Sequence, residues 1–244
     1  MFPPLIKPLR LLLDILFPPL CIGCKKYIGD VKNVLICQRC LESIKTNNSF
    51  FCPVCKLRLP QARQICKHKE LKRHPYILAA ASNYDNQTLQ NLIHYFKYKK
   101  LEAIAPILGD LLTKYLNSLS LKPYTLNFST IIVPIPLHFK RKIERGYNQS
   151  ELLAQIVSAK FNIPLANALR RTQNNPPQAR AKNYVERQKN LSGIFSVSDP
   201  EVIKNKNIIL IDDVYTSGAT IAEASRVLKQ NNARKIIALV VAKA

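Results

Sequence analysis

Residues 208–220 read Ile-Ile-Leu-Ile-Asp-Asp-Val-Tyr-Thr-Ser-Gly-Ala-Thr. The apolar run, with Asn207 before it, predicts a short strand buried on both faces, as in a parallel sheet. It stops at two adjacent carboxylates, Asp212 and Asp213, which repel each other and cost stability in an apolar setting. A helical pattern over 220–231 begins within a few residues. A strand that ends in acids and turns directly into a helix fits an open α/β sheet, whose ligands bind beyond the carboxyl ends of its strands. Gly218 permits a tight bend there, and Thr216, Ser217 and Thr220 add hydroxyl donors. Backbone N–H groups at the start of a helix point outward, and the dipole favours an anion. The expectation is that Asp212 and Asp213 accept from hydroxyl groups while Thr216, Ser217, Gly218, Ala219 and Thr220 hold a phosphate. A sugar phosphate offers both.

The same alternation runs back to residue 77. Residues 77–84 and 129–136 predict strands. Residues 86–100 predict a helix with Leu89, Leu92, Ile93 and Phe96 on one face, and 101–119 a second, kinked or begun at Pro106. A third covers 148–161 with Leu152, Leu153, Ile156 and Val157 inward. Strands at 192–197, 207–211 and 233–244 and a polar loop at 172–190 complete the reading. The fold class is α/β, a mostly parallel, doubly wound sheet. Ahead of it, Leu5, Leu9, Leu12, Leu13 and Leu16 predict an amphipathic helix over 1–17, and a Cys-rich module occupies 18–75. The remainder, 76–244, forms the α/β domain.

All seven cysteines lie in the first 66 residues. The leucine-rich start is interrupted by Arg10 and Asp14, lacks a small-residue cleavage site and is too short to span a bilayer, so a reducing cytoplasm is expected. There, paired Cys-x-x-Cys reads as metal and not as disulfide. Cys21, Cys24, Cys37 and Cys40 have the spacing of a structural zinc site with four protein ligands. Cys52, Cys55, Cys66 and His68 offer a second set, with His74 an alternative fourth ligand.

Lys and Arg number 37 against 15 Asp and Glu, a net charge of +22 spread over both halves. Such an excess favours polyanionic partners: nucleic acid, phosphate-rich small molecules or an anionic membrane surface. Lys140, Arg141, Lys142 and Arg145 form a basic stretch suited to pyrophosphate or to a nucleic-acid backbone. Residues 94–100, His-Tyr-Phe-Lys-Tyr-Lys-Lys, interleave aromatics with lysines, a composition that suits single strands.

The stretch 208–220 resembles the signature loop of type I phosphoribosyltransferases, which bind phosphoribosyl pyrophosphate (PRPP). Residues 131–155 and 169–195, together with the Cys-x-x-Cys module preceded by Leu-Leu-Asp-Ile-Leu-Phe-Pro-Pro, are similar to the ComF family of competence proteins. The resemblance implies that Asp212 and Asp213 hold the ribose hydroxyls and that 216–220 cup the 5-phosphate. It implies that Pro134, Ile135, Pro136, Leu137 and Arg145 receive pyrophosphate. Gly146, Tyr147, Asn148 and Gln149 continue the family's motif from Arg145, and Arg171, Thr172, Gln178, Arg187 and Asn190 fall in a segment like its mobile flap. Lys69 stands where that family often has a further cysteine. The implied cofactors are structural Zn²⁺ and Mg²⁺ with PRPP. The implied role is DNA uptake in natural transformation, with single-stranded DNA and the competence machinery as partners. The alternative is a nucleic-acid binder on the same scaffold without transfer.

Overall fold

The computed structural model describes residues 18–29, 35–59, 66, 68, 74–119, 129–172 and 193–244. The helix expected over 1–17 and the flap residues Gln178, Arg187 and Asn190 lie outside these. A six-stranded sheet organises the chain, in the order β2 (Arg58–Leu59), β1 (Phe50–Phe51), β3 (Ile77–Asn83), β8 (Lys235–Lys243), β7 (Asn207–Tyr215) and β4 (Thr130–Pro134). The last four run parallel, while β1 joins β3 antiparallel through Phe51 and Leu78. The sheet is therefore mostly parallel, as the sequence predicts, with an antiparallel edge supplied by the Cys-rich segment.

Helices cover both faces. On one side lie α2 (Gln87–Tyr98), α3 (Ala105–Ser118) and α5 (Gln149–Phe161), packed with Ile209, Ile211, Ile237 and Leu239. On the other lies α7 (Ala219–Gln230), packed with Ile208, Leu210, Ala238 and Val240. Leu89, Leu92, Ile93 and Phe96 of α2 are all buried. At about 2 kcal/mol for each side chain of this kind, that stripe holds a helix too short to persist alone. Asn86 caps its start by accepting from the Leu89 N–H. Pro106 sits in the first turn of α3, after a 3₁₀ turn at Glu102–Ile104, so the proline begins this helix and does not kink it.

The Cys-rich segment shares the main core. Cys21, Ile22, Cys40, Ile44, Phe50 and Cys52 pack with α2 and α3, and α1 (Gln38–Glu42) is its one helix among the described residues. Asn91 of α2 donates to the Ile22 and Gly23 carbonyls. Shorter elements absent from the sequence reading are α4 (Phe139–Arg145), β5 (Leu169–Arg171) and α6 (Pro200–Ile203). Strand β5 pairs with β6 (Phe195–Val197) in a small antiparallel ribbon beside α7.

Candidate functional site

Strand β7 runs through the acid pair to Tyr215 and does not stop at Ile211 as expected from the sequence. Charged residues usually end a buried strand. Here β8 carries the ladder onward, pairing Asp212 with Val240 and Val214 with Ala242, while β4 leaves after pairing Pro134 with Ile211. Beyond Ile211, β4 no longer pairs alongside the acids. The alternation of faces also slips there. Ile209 and Ile211 pack in the core under α2 and α5, but Tyr215, of the same parity, packs in the opposite core. Both acids are consequently served by helices of one side. The Ser150 hydroxyl, in the first turn of α5, donates to Asp212 Oδ1 at 3.1 Å, and the Asp213 N–H donates to the same oxygen at 2.9 Å. Lys97, near the end of α2, pairs with Asp213 at 2.7 Å.

Loss of water around the Asp212 carboxyl, then the charge of Asp213, push its pKa up to about 7, although Lys97, the Asp213 N–H and Ser150 pull the other way. Burial works against the Lys97 ammonium, but the Asp213 carboxylate more than offsets it and raises its pKa. The site therefore holds an ionisable acid close to neutrality beside a firmly charged lysine.

Lys97 and Ser150, which contact the acid pair, are the candidate site residues missed in the sequence. The motif Arg145, Gly146, Tyr147, Asn148 and Gln149 explains how they are placed. Helix α2 ends at Tyr98, so the Phe96 carbonyl has no helical partner ahead of it. Tyr147 Oη and Gln149 Nε2 both donate to that carbonyl, at 2.7 and 3.2 Å. The carbonyl is immediately before Lys97, so this clamp fixes the lysine against Asp213. Asn148 caps α5 through the Ser150 N–H, and its Nδ2 donates to the Ile135 carbonyl at 3.1 Å. Gly146 ends α4 at φ 86°, a left-handed conformation in which a side chain would be strained. Arg145 donates to Gln149 Oε1 and lies over the Tyr98 ring.

The predicted pyrophosphate residues differ in availability. Pro134 and Ile135 are buried, the Ile135 N–H donating to the Ile211 carbonyl, whereas Pro136 and Leu137 are half-buried. Cations gather on the other side. Burial, and then Arg145, lower the Arg141 pKa. Burial, and then Arg141, lower that of Arg171 to about 10, with Asp212 opposing. Lys142 instead faces Glu151 at 3.7 Å, and Lys140 is exposed. Thr172 turns its hydroxyl to the Ile194 carbonyl.

Beyond β7, Thr216 and Ser217 form the bend, Gly218 caps α7 at φ 75°, and Ala219 and Thr220 enter its first turn. A Cβ on Gly218 would lie 2.2 Å from Tyr215 Oη, so glycine is required on two counts.

The cysteines close into two clusters, Cys21, Cys24, Cys37, Cys40 and Cys52, Cys55, Cys66, His68, with the ligand atoms of each within 4.8 Å of one another. Tetrahedral zinc–thiolate bonds place sulfurs about 3.8 Å apart. The Cys24–Cys37 and Cys55–Cys66 sulfur pairs are both at 3.9 Å, which fits zinc. The Cys37 N–H donates to Cys21 Sγ, as thiolate ligands accept. His68 completes the second set. His74, the alternative, is buried with Nδ1 3.3 Å from Tyr76 Oη.

Comparison with known proteins agrees with this geometry. The chain is 32% identical to Competence protein F of Haemophilus influenzae, covering 88% of this chain and 93% of that protein. It belongs to the ComF family. Other ComF-family relatives are the DNA utilization protein YhgH of Escherichia coli, 30% identical over 82% of this chain and 87% of that one, and Competence protein ComFC of Bacillus subtilis, 28% identical over 79% and 77%. The phosphoribosyl transferase domain model matches residues 148–244, and the double zinc ribbon domain model matches 12–69. Both clusters are structural zinc sites: four protein ligands leave no open position for a substrate. The first match begins at Asn148 and so does not include Lys97, which pairs with Asp213. No helix among the described residues is long and apolar enough to cross a membrane.

Proposed function

We propose that this ComF-family protein binds Mg–PRPP at the end of β7 and serves DNA uptake or use, as the names of its relatives suggest. One observation carries the reading. A buried strand delivers two acids, with Asp212 half-buried and Asp213 buried, directly into a glycine turn at a helix start, opposite Arg141 and Arg171. Asp212 and Asp213 accept from the ribose hydroxyls, and Thr216, Ser217, Gly218, Ala219 and Thr220 hold the 5-phosphate. Pro136, Leu137, Arg145, Arg141 and Arg171 surround the pyrophosphate. Mg²⁺, when bound with PRPP, screens the diphosphate charge as the C1–oxygen bond breaks. Phosphoribosyl transfer is the chemistry this arrangement suits. Calorimetric titration with Mg–PRPP tests it. Saturable binding by the wild type is expected, weakened about tenfold or more in Asp213→Asn, since hydrogen bonds to a charged group contribute about 1.5–3 kcal/mol. Equal affinity in the two proteins would remove this site.

A second activity, binding of single-stranded DNA, is favoured by helix α4. None of its residues is buried, and Phe139 and Ile143 are 72% and 62% exposed among Lys140, Arg141, Lys142 and Arg145. Exposed aromatics among cations stack bases and track phosphates. Phe139→Ala should weaken binding about tenfold at every salt concentration, a stacked base contributing about 1–3 kcal/mol. Lys140→Ala should instead flatten the salt dependence by about 0.7 in log–log slope. No affinity even at low salt would eliminate this activity.

A further inference from the structure

The second zinc cluster lies against the phosphate turn, and one side chain joins them. Tyr215, the last residue of β7, is 1% exposed. Its hydroxyl donates to the Pro53 carbonyl at 2.8 Å. Pro53 sits between Cys52 and Cys55, in the knuckle that presents both sulfurs. The same hydroxyl is 3.1 Å from Tyr76 Oη, which is 3.3 Å from His74 Nδ1, so a buried polar row runs behind the knuckle. Lys56, held at φ 59° directly after Cys55, lies 5.9 Å from the Tyr215 ring centroid and donates to the Ala244 carbonyl at 2.6 Å. The other side of the phenol supports the turn. The space a Gly218 side chain would occupy is filled by Tyr215 Oη and Cζ, 2.2 and 2.4 Å from the Cβ position.

We infer that Tyr215 is a positioning residue that ties the Cys52–Cys55 knuckle to the turn at Gly218, so that ordering of the second zinc site shapes the phosphate-binding backbone. The physical basis is a shared constraint. The Pro53 carbonyl can hold the phenol only when the knuckle is closed on its metal by Cys52, Cys55, Cys66 and His68. The phenol, once fixed, leaves the 216–219 backbone a single floor to rest on. A zinc module that supplies no ligand to substrate thereby contributes to the site. The binding consequence rests on the PRPP reading; the structural one does not.

Hydrogen exchange on the zinc-loaded full chain without ligand tests the structural part. Tyr215→Phe keeps the ring under Gly218 and removes only the hydroxyl. Exchange of the Ala222 amide, which donates to the Gly218 carbonyl at 2.8 Å and so reports on the turn, should rise about tenfold, a lost buried hydrogen bond costing about 1–3 kcal/mol. The amides of 131–133 in β4 should not change, which separates positioning from general loosening. Cys66→Ser should give the same local rise, and the double variant no further rise. Unchanged exchange at Ala222 in Tyr215→Phe overturns the inference, as does additivity of the two variants. In titrations with Mg–PRPP, Tyr215→Phe should bind about tenfold more weakly. If the wild type binds and the variant matches it, the coupling to binding is wrong. If the wild type does not bind, the PRPP reading falls and the exchange result alone decides the inference.

Discussion

Lys97→Met is expected to cost about 3 kcal/mol of unfolding free energy at pH 8, most of it returned by adding Asp213→Asn. Lys97 and Asp213 are 2.7 Å apart with side chains 20% and 10% exposed, and Asp212 adds a second carboxyl on the same strand. Removing one partner of a buried pair costs about 3–5 kcal/mol because the other charge is left without compensation. The residual exposure of Lys97 places the expectation at the low end of that range. Methionine preserves most of the aliphatic stem, so the packing of that stem is largely kept. Denaturant unfolding of the zinc-loaded protein, followed by circular dichroism, measures each corner of the double-mutant cycle. A coupling energy near zero would mean that the lysine merely lies beside the acid, and Asp213 would need another source of stabilisation. The cycle also tests the clamp. Tyr147 and Gln149 act on the Phe96 carbonyl, so loosening them should reproduce part of the Lys97→Met loss without touching either charge.

That lysine shows where sequence reasoning reached and where it stopped. The acid pair, the glycine turn and the cysteine spacing are local signals, each legible because a backbone conformation or an ion demands particular residues at fixed separations. The parallel sheet was legible through the strand–helix alternation. Lys97 reads as one more cation in a run of aromatics and lysines, yet it follows Leu89 and Ile93 at i+4 spacing and so lies on their buried face. A lysine on an apolar stripe was the available signal. Helix α4 gave none, because none of its residues is buried and no stripe exists. The extent of β7 was hidden for a different reason. Charges usually end buried strands, and only the continuing partner β8 reveals that this strand carries its acids inside the ladder. His68 was ambiguous because one residue separates it from Cys66. A tight turn, in which the His68 N–H donates to the Cys66 carbonyl, brings both to one metal.

Asp212→Asn should stabilise the protein above neutral pH and abolish its binding of Mg–PRPP. Asp212 faces Asp213, Lys97 and Ser150, with the Arg171 charge in its field. Its pKa, raised from 3.8 to about 7, means that the folded chain holds this proton more tightly than the unfolded chain does. The penalty for ionising it is absent below about pH 4, grows as the pH climbs toward 7, and is complete above that value. At about 1.4 kcal/mol for each pH unit between the two values, it amounts to about 4 kcal/mol at pH 8. Asparagine carries no such charge, and its Oδ1 can still accept from Ser150 and the Asp213 N–H. The variant should therefore melt several degrees above the wild type at pH 8 and at the same temperature near pH 4. An advantage that did not vary with pH would show that charge burial is not its cause. Binding moves oppositely. Mg–PRPP is a net anion, but ribose hydroxyls that donate to the acid pair favour the ionised carboxylate, so wild-type binding at pH 6 should release a proton, measurable as a dependence of the titration heat on the buffer's ionisation enthalpy. A more stable protein that no longer takes the ligand is the expected signature of an acid kept for function against the interest of the fold. If Asp212→Asn bound as well as the wild type, the strand end would have to be read as structural.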